Sequence, residues 1–391
     1  MLHAILGLTL LACPPPGAEI KTEHYDLYVE SIDAKDVGAM LEALYANHSK
    51  FFGGAPRERL RLEVYATFEA FQEATKRDKV GTVEAGGIYW SGTKTAYLFL
   101  QPSEYYSRHL IIHEATHQFH MLAKTGNQGA GPRWYSEGLA EYFANHNWDG
   151  KTLLTGVVPA VSLENDPAKA LKQFEDLKED LEGIARGTVA CDNVLGGALV
   201  HFLVNNHEAK WKSLAARLDV GVSAASAWKK SFGKTGPEFT KSFKDWLVAH
   251  QQPLRIVWVN WQERGDAIEG KSEWACASLF RSAPASIEAE IELKKGDLKA
   301  GLIFNYKSND DYALLQVTKG RAAILKVDKN VLNELAGADI DPAIEKPVVA
   351  YRRDGSDAVL SVNGKEIGRV KAEGEAGLWL QSCEVFFRLK K

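Results

Sequence analysis

The run His113-Glu114-Ala115-Thr116-His117 can act as a unit only on a helix. Residues i and i+4 then stand one above the other on a single face. Two imidazoles so placed can share one zinc ion through ring nitrogens at roughly 2.0–2.1 Å. Glu114 projects beside such an ion rather than at it, where its carboxylate can take a proton from zinc-bound water, whose pKa the metal brings to around 7. This is the H-E-x-x-H pattern, with His113 and His117 as ligands and Glu114 as general base. A hydrolytic zinc centre takes a third protein ligand and keeps one position open. Glu137 is the expected third ligand. It opens a second helical pattern (Glu137, Leu139, Ala140, Tyr142, Phe143) after a loop holding Gly126, Gly129, Gly131 and Pro132. Glu141, one turn on, would share that face and accept the other ring N–H of a histidine ligand, setting its tautomer. The plainer alternative is an amphipathic helix with solvated histidines. A matching glutamate in a second helix, preceded by an aromatic and a small polar residue, argues against it.

H-E-A-T-H followed by P-R-W-Y-S-E-G-L-A-E-Y-F resembles the gluzincin metallopeptidases, and more narrowly the peptidase-MA-like families of secreted or lipid-anchored bacterial proteins. The likeness is sharp over about residues 85–145 and looser over the rest of the first two-thirds. It implies a zincin-like fold, Zn2+ on His113, His117 and Glu137, Glu114 as base, and a peptide or protein substrate. In gluzincin-like folds a strand beside the metal cleft pairs with extended substrate. Gly86-Gly87 is a candidate for that edge, since glycine permits close backbone approach; a tight turn in a small sheet explains the pair equally well. Related peptidases also place a tyrosine or histidine opposite the metal to hydrogen-bond the developing oxyanion. Here no tyrosine occurs between Tyr142 and Tyr306. Asn193 and His201 are the substitutes, with His207 and Arg186 behind them, and each also reads as an ordinary helix or surface residue. Without such a donor the centre is either a slow enzyme or a zinc-binding scaffold.

Taken in order, Met1 to Ala12 is apolar apart from His3 and Thr9, too short for a spanning helix, and reads as an export signal. Leu10-Leu11-Ala12-Cys13 resembles a bacterial lipobox, with lipidation at Cys13 and a tether through Pro14-Pro15-Pro16. The n-region lacks Lys and Arg, so a plain cleaved signal ending near Ala18 is the alternative. The expected location is the bacterial periplasm or cell surface, anchored at Cys13 or else secreted, with membrane contact only through the lipid. A formal net charge of -4 with no basic run argues against nucleic acid as a partner.

Residues 20–252 are expected to form an α+β domain, a small sheet plus a helical lobe. Tyr25, Leu27 and Val29 alternate as in a strand, Val37 to Phe52 has helical spacing, and Leu60 to Tyr65 is a second strand. Phe68 to Lys76 reads as a short helix, and Gly86 to Trp90 with Thr95 to Leu100 as a hairpin around Ser91-Gly92. Helical patterns follow at Pro167–Leu181, Gly196–Asn205, Trp211–Leu218, Ala224–Phe232 and Pro237–His250.

At Gln252-Pro253 the pattern changes to short alternating strands, with hairpin signals at Asp354-Gly355 and Asn363-Gly364. Regular spacing of this kind predicts an antiparallel β-sandwich over 253–391. G-L-I-F-N-Y-K-S-N-D-D-Y-A-L-L, V-N-G-K-E and G-L-W-L-Q resemble concanavalin- or laminin-G-like jelly rolls. That resemblance implies either a glycan-binding or a purely structural domain. An exposed aromatic platform would favour glycan, and Trp258, Trp261, Trp274 and Trp379 are the candidates. Cys276 and Cys383 fall in the first and last strands, neighbours in most jelly rolls, so an exporting route would allow them to pair. Cys191 has no accompanying Cys–His constellation and reads as a free thiol. The leading expectation is a zinc-dependent peptide hydrolase. The alternative is a zinc-binding scaffold acting as a cell-surface glycan- or protein-binding protein.

Overall fold

The computed structural model describes residues 17–126, 131–161, 167–178, 181–258, 260–329 and 331–390. Cys13 and the proline tether lie outside the described residues. The chain divides into two compact units, Met1–Pro102 with Leu110–Gln128, and Ser103–His109 with Gly129–Lys391.

The first unit contains β1 (Ala18–Lys21), β2 (Tyr25–Val29), α1 (Ala34–Phe52), β3 (Leu60–Tyr65), α2 (Phe68–Arg77), β4 (Gly87–Trp90), β5 (Thr95–Phe99) and all but the first turns of α3 (Glu104–Lys124). Its sheet runs β1-β2-β3-β5-β4. The three central strands are parallel, and β1 and β4 are antiparallel edges. The alternation of Tyr25, Leu27 and Val29 is realised as three buried side chains on one face of β2. Asp33 caps α1 by accepting from the amides of Lys35 and Asp36, and Gly53 ends it in the left-handed region at φ 66°. Within this unit α3 buries Ile111, Ile112, Ala115 and Phe119. Phe119 meets Tyr45 and Phe52 of α1 at ring-centroid distances of 5.1 and 5.7 Å.

The second unit begins with the start of α3, where Ser103 Oγ accepts from the Tyr106 amide at 3.1 Å. It continues through α4 (Arg133–Ala144), the hairpin β6 (His146–Trp148) and β7 (Leu153–Thr155), α5 (Pro167–Leu177), α6 (Leu181–Ala185), α7 (Asn193–Asn206), α8 (Glu208–Asp219), α9 (Ala224–Phe232) and α10 (Pro237–Ala249). The helices close on an aromatic core in which Phe202 touches Phe239 and Phe243, and Trp228 stacks on Phe232 at 4.2 Å. The tightest contact is α4 on α7. A methyl group added at Gly138 would lie 2.5 Å from the Gly196 carbonyl oxygen, so glycine sets how closely the two backbones approach.

The remainder is an antiparallel β-sandwich: β8 (Leu254–Ile256), β9 (Trp261–Arg264), β10 (Ala267–Phe280), β11 (Ser286–Gly296), β12 (Lys299–Ser308), β13 (Asp311–Thr318), β14 (Arg321–Asp328), β15 (Val331–Asp339), β16 (Val348–Asp354), β17 (Asp357–Val362), β18 (Lys365–Lys371) and β19 (Glu375–Leu389). Strand order is β15-β14-β13-β12-β19-β11-β16-β17-β18, with β10 also on β19. The first half of β19 pairs with β12 and its second half with β11. The change of partner falls at Ser382, at φ 55°, so one long strand serves both layers. β18 comes back against β14 and β15, closing the layers over Leu302, Phe304, Leu315, Leu360, Leu378 and Phe387. A second cluster (Ile303, Leu314, Leu325, Trp379) buries the opposite face of β12–β14. Strands covered on both faces read as continuous apolar runs, which is how Ala313-Leu314-Leu315 looks in the sequence. The sandwich is tied to the helical lobe by Asn147, which exchanges two hydrogen bonds with Gly265, at 2.9 and 2.8 Å.

Candidate functional site

In the first unit α3 does place His113 and His117 on one face. Their Nε2 atoms are 3.1 Å apart and the rings meet edge-on, with centroids 4.8 Å apart. Ligand atoms around a tetrahedral zinc at roughly 2.0–2.1 Å stand about 3.3–3.4 Å apart. The pair therefore already has close to the spacing the ion requires. His113 and Glu114 are both buried. Glu114 lies against the edge strand: a methyl group at Gly87 would sit 2.9 Å from Glu114 Cγ and 3.2 Å from its Oε1. One at Gly86 would strike Leu110 Cδ1 at 2.6 Å. The two glycines thus let the sheet edge approach α3; Gly87 opens β4, and Gly86 sits in the bend just before it. Below the histidine face, His48 of α1 is fully buried, with Nε2 3.1 Å from Thr116 Oγ1. Desolvation, with His120 nearby, pushes its pKa down to about 3, so it is neutral.

In the second unit Glu137 and Glu141 lie one turn apart on α4. Asn193, the first residue of α7, donates from Nδ2 to Glu137 Oε2 at 3.1 Å, and Arg133 Nη2 donates to Asn193 Oδ1 at 3.4 Å. Asn193 is thus a partner of the carboxylate rather than a free donor for substrate. Glu141 Oε2 is 3.1 Å from His109 Nε2, and both side chains are buried. The sequence reading assigned Glu141 to a motif histidine and missed His109. The signal was present, because His109 stands four residues before His113 and shares its helical face.

His201 is a core residue, buried in edge contact with Tyr142 and Trp246 at 5.4 and 5.1 Å. Burial, with His250 adding to it, lowers its pKa to about 4. His207 packs against Phe202, Phe232 and Phe239, and Arg186 pairs with Glu182 at 3.5 Å. The expected disulfide is corrected too. Cys276 and Cys383 are free, because the β10–β19 register sets Cys276 opposite Leu380 and Cys383 opposite Ser272. Each thiol donates instead to a backbone carbonyl at 3.5 Å, Cys276 to Trp258 and Cys383 to Lys299. Cys191 is a half-buried free thiol whose pKa burial and Asp192 raise to about 11. Of the candidate tryptophans, Trp261 and Trp379 are buried and Trp274 is 77% exposed.

Residues 109–214, which hold every candidate ligand, match the profile of DUF1570, described as "Protein of unknown function (DUF1570)". No curated protein matches the chain. Among solved structures it is similar to the carbohydrate-binding module CBM66 from Bacillus subtilis, at TM-score 0.32 and 16% identity over 35% of this chain and 92% of that one. The GH43 protein BlXynB from Bacillus licheniformis gives 0.29 and 12%, over 35% and 36% of the two chains. The galectin LEC-6 from Caenorhabditis elegans gives 0.23 and 10%, over 31% and 92%. Scores this low assign no ligand to the chain.

The family match corrects the gluzincin peptidase assignment. The motif residues that carried the resemblance lie in the stretch that matches the model of a family of unknown function, not one described as a peptidase. The physical reason is that H-E-x-x-H with a distal glutamate specifies what can ligate a metal. It does not specify what the metal acts on.

Proposed function

We propose that this protein is a zinc-binding protein whose β-sandwich recognises carbohydrate. The observation that carries the zinc reading is the 3.1 Å separation of the His113 and His117 Nε2 atoms, close to the spacing of two ligands on one ion. Glu137 is the proposed third ligand. On α4 it stands one turn before Glu141, whose carboxylate lies 3.1 Å from His109 Nε2. Asn193 would hold the Glu137 carboxylate in one orientation, as outer partners of metal ligands do. Zinc bound there supplies Lewis-acid polarisation. Glu114, against the Gly87 backbone, is the group beside it that can hold a proton, at Oε1.

Carbohydrate recognition is supported by Trp274, a large aromatic surface held out from the sandwich where a core residue would be turned in. An exported location, with a lipid at Cys13, belongs to the same proposal.

Metal content of the full-length protein after reconstitution and gel filtration tests the zinc centre. One equivalent is expected in the wild type and a large loss in His113→Ala and in His117→Ala. A folded wild type that retains none refutes it. Any turnover at the centre would need Glu114, so Glu114→Gln, which keeps the ligands, is the control for every activity screen. Retention of the wild type on a panel of immobilised glycans tests the second part.

A further inference from the structure

One end of the sandwich carries a cleft of about 900 Å³, within the range of small-ligand sites. Three segments enclose it: the β11–β12 turn with Asp297 and Leu298, the β13–β14 turn with Lys319 and Gly320, and the β15–β16 connection from Ile340 to Pro347. The connection is braced rather than loose. Ile340 N donates to Gly320 O at 3.1 Å, Ile291 N to Pro347 O at 2.9 Å, and Ala343 N to Asp341 Oδ1 at 2.9 Å.

The lining decides the ligand class. Glu292, Asp297, Asp341 and Glu345 line it with Lys299, Lys319 and Lys346, acceptors and donors in near balance; Glu292 pairs with Lys294, Lys346 and Arg388. A phosphate or nucleotide site would be lined by one sign of charge. A polyol is different, since each hydroxyl both donates and accepts and so uses carboxylates and ammonium groups together. Leu293, Leu298 and Pro342 supply apolar surface for the C–H faces of a sugar ring.

Trp274 lies on β10, which β19 separates from β11 and its cleft-lining turn. It belongs to a bulge between Ser272 and Ala275 on β10, fixed by Trp274 N donating to Ser272 Oγ at 3.1 Å and Ser382 Oγ donating to Glu273 O at 3.0 Å. Ser272 pairs with Cys383, and Cys383 with Gly296 on β11, the residue before Asp297. Two strand spacings, about 10 Å, therefore separate the bulge from the turn that lines the cleft.

We infer that this cleft binds a neutral oligosaccharide, with one residue inside and the chain running out over Trp274. The inference rests on the carbohydrate-binding reading above and adds to it the site and the class of glycan.

The test is binding of full-length protein to immobilised neutral oligosaccharides and their sulfated counterparts. Wild type is compared with Lys319→Gln, Asp341→Asn and Trp274→Ala, each checked by thermal melting. Retention of neutral glycans, weakened at least tenfold by a cleft substitution and by Trp274→Ala, is the expected result. Binding weakened by Trp274→Ala alone would overturn the cleft and leave the carbohydrate reading standing. A preference for sulfated glycans would overturn the neutral class. No retention of any glycan by folded wild type would overturn both.

Discussion

Asn193 offers the sharpest test of the zinc centre, because it acts on Glu137 without being a ligand. Its Nδ2 is 3.1 Å from Glu137 Oε2, an ordinary length for a bond to a carboxylate. Such bonds contribute about 1.5–3 kcal/mol, and removing the outer partner of a metal ligand costs about 10–100-fold in affinity. The 3.4 Å contact from Arg133 orients the amide only loosely, which favours the lower half of that range. Asn193→Ala should therefore weaken zinc about 10–30-fold. Asn193→Asp should do worse, since two carboxylates at this separation repel by about 1 kcal/mol in water and about 5 kcal/mol at an effective dielectric of 20. The fold should survive both changes. Asp192 caps α7 by accepting from Leu195 N, and Asn193 is only its first residue. Competition against a chromophoric chelator at neutral pH reads the affinity, and thermal unfolding without metal reads the stability. Unchanged zinc affinity in both variants, with His113→Ala strongly impaired, would remove Glu137 from the ligand set.

Three further outcomes follow from the packing and the titrating groups. Gly138→Ala forces a methyl group to 2.5 Å from the Gly196 carbonyl, so unfolding should show a loss of about 1–3 kcal/mol, and wild-type stability would contradict the α4–α7 contact. His201 has a folded pKa of about 4 against 6.5, so the unfolded state binds more protons between these values. Its contribution is complete above pH 6.5, falls as pH drops toward 4, and amounts to about 3 kcal/mol. His201→Phe should flatten that part of the stability–pH curve, and an unchanged slope would contradict the burial. Cys276, whose thiol burial pushes up to about 12, and Cys383 should resist alkylation in the native protein and label fully in denaturant without reductant. Loss of that labelling after mild oxidation would indicate a bridge the register excludes.

Much of the local structure was legible from periodicity. The strand at Tyr25–Val29, the helix ending at Phe52 and the turn at Asn363-Gly364, with φ of 51° and 77°, depend on residues within a few positions of one another. β15 was not legible. Val331, Leu332 and Leu335 are exposed and do not alternate, so only pairing with β14 makes the segment a strand. The peptidase assignment failed for a related reason, in that a short motif carries donor chemistry but no substrate.

By itself the sequence determined what a helix imposes: His113 and His117 on one face, Glu114 beside them, and Glu137 and Glu141 one turn apart. Only the tertiary structure decided which carboxylate each partner holds. Asn193 reaches Glu137 across 56 residues, and His109 rather than a motif histidine takes Glu141. It also decided that Trp274 faces solvent while Trp379 is buried, and that Cys276 and Cys383 face other partners. Helical spacing is a property of one backbone, whereas strand register and packing are free-energy minima of the whole chain, set by residues far apart along it.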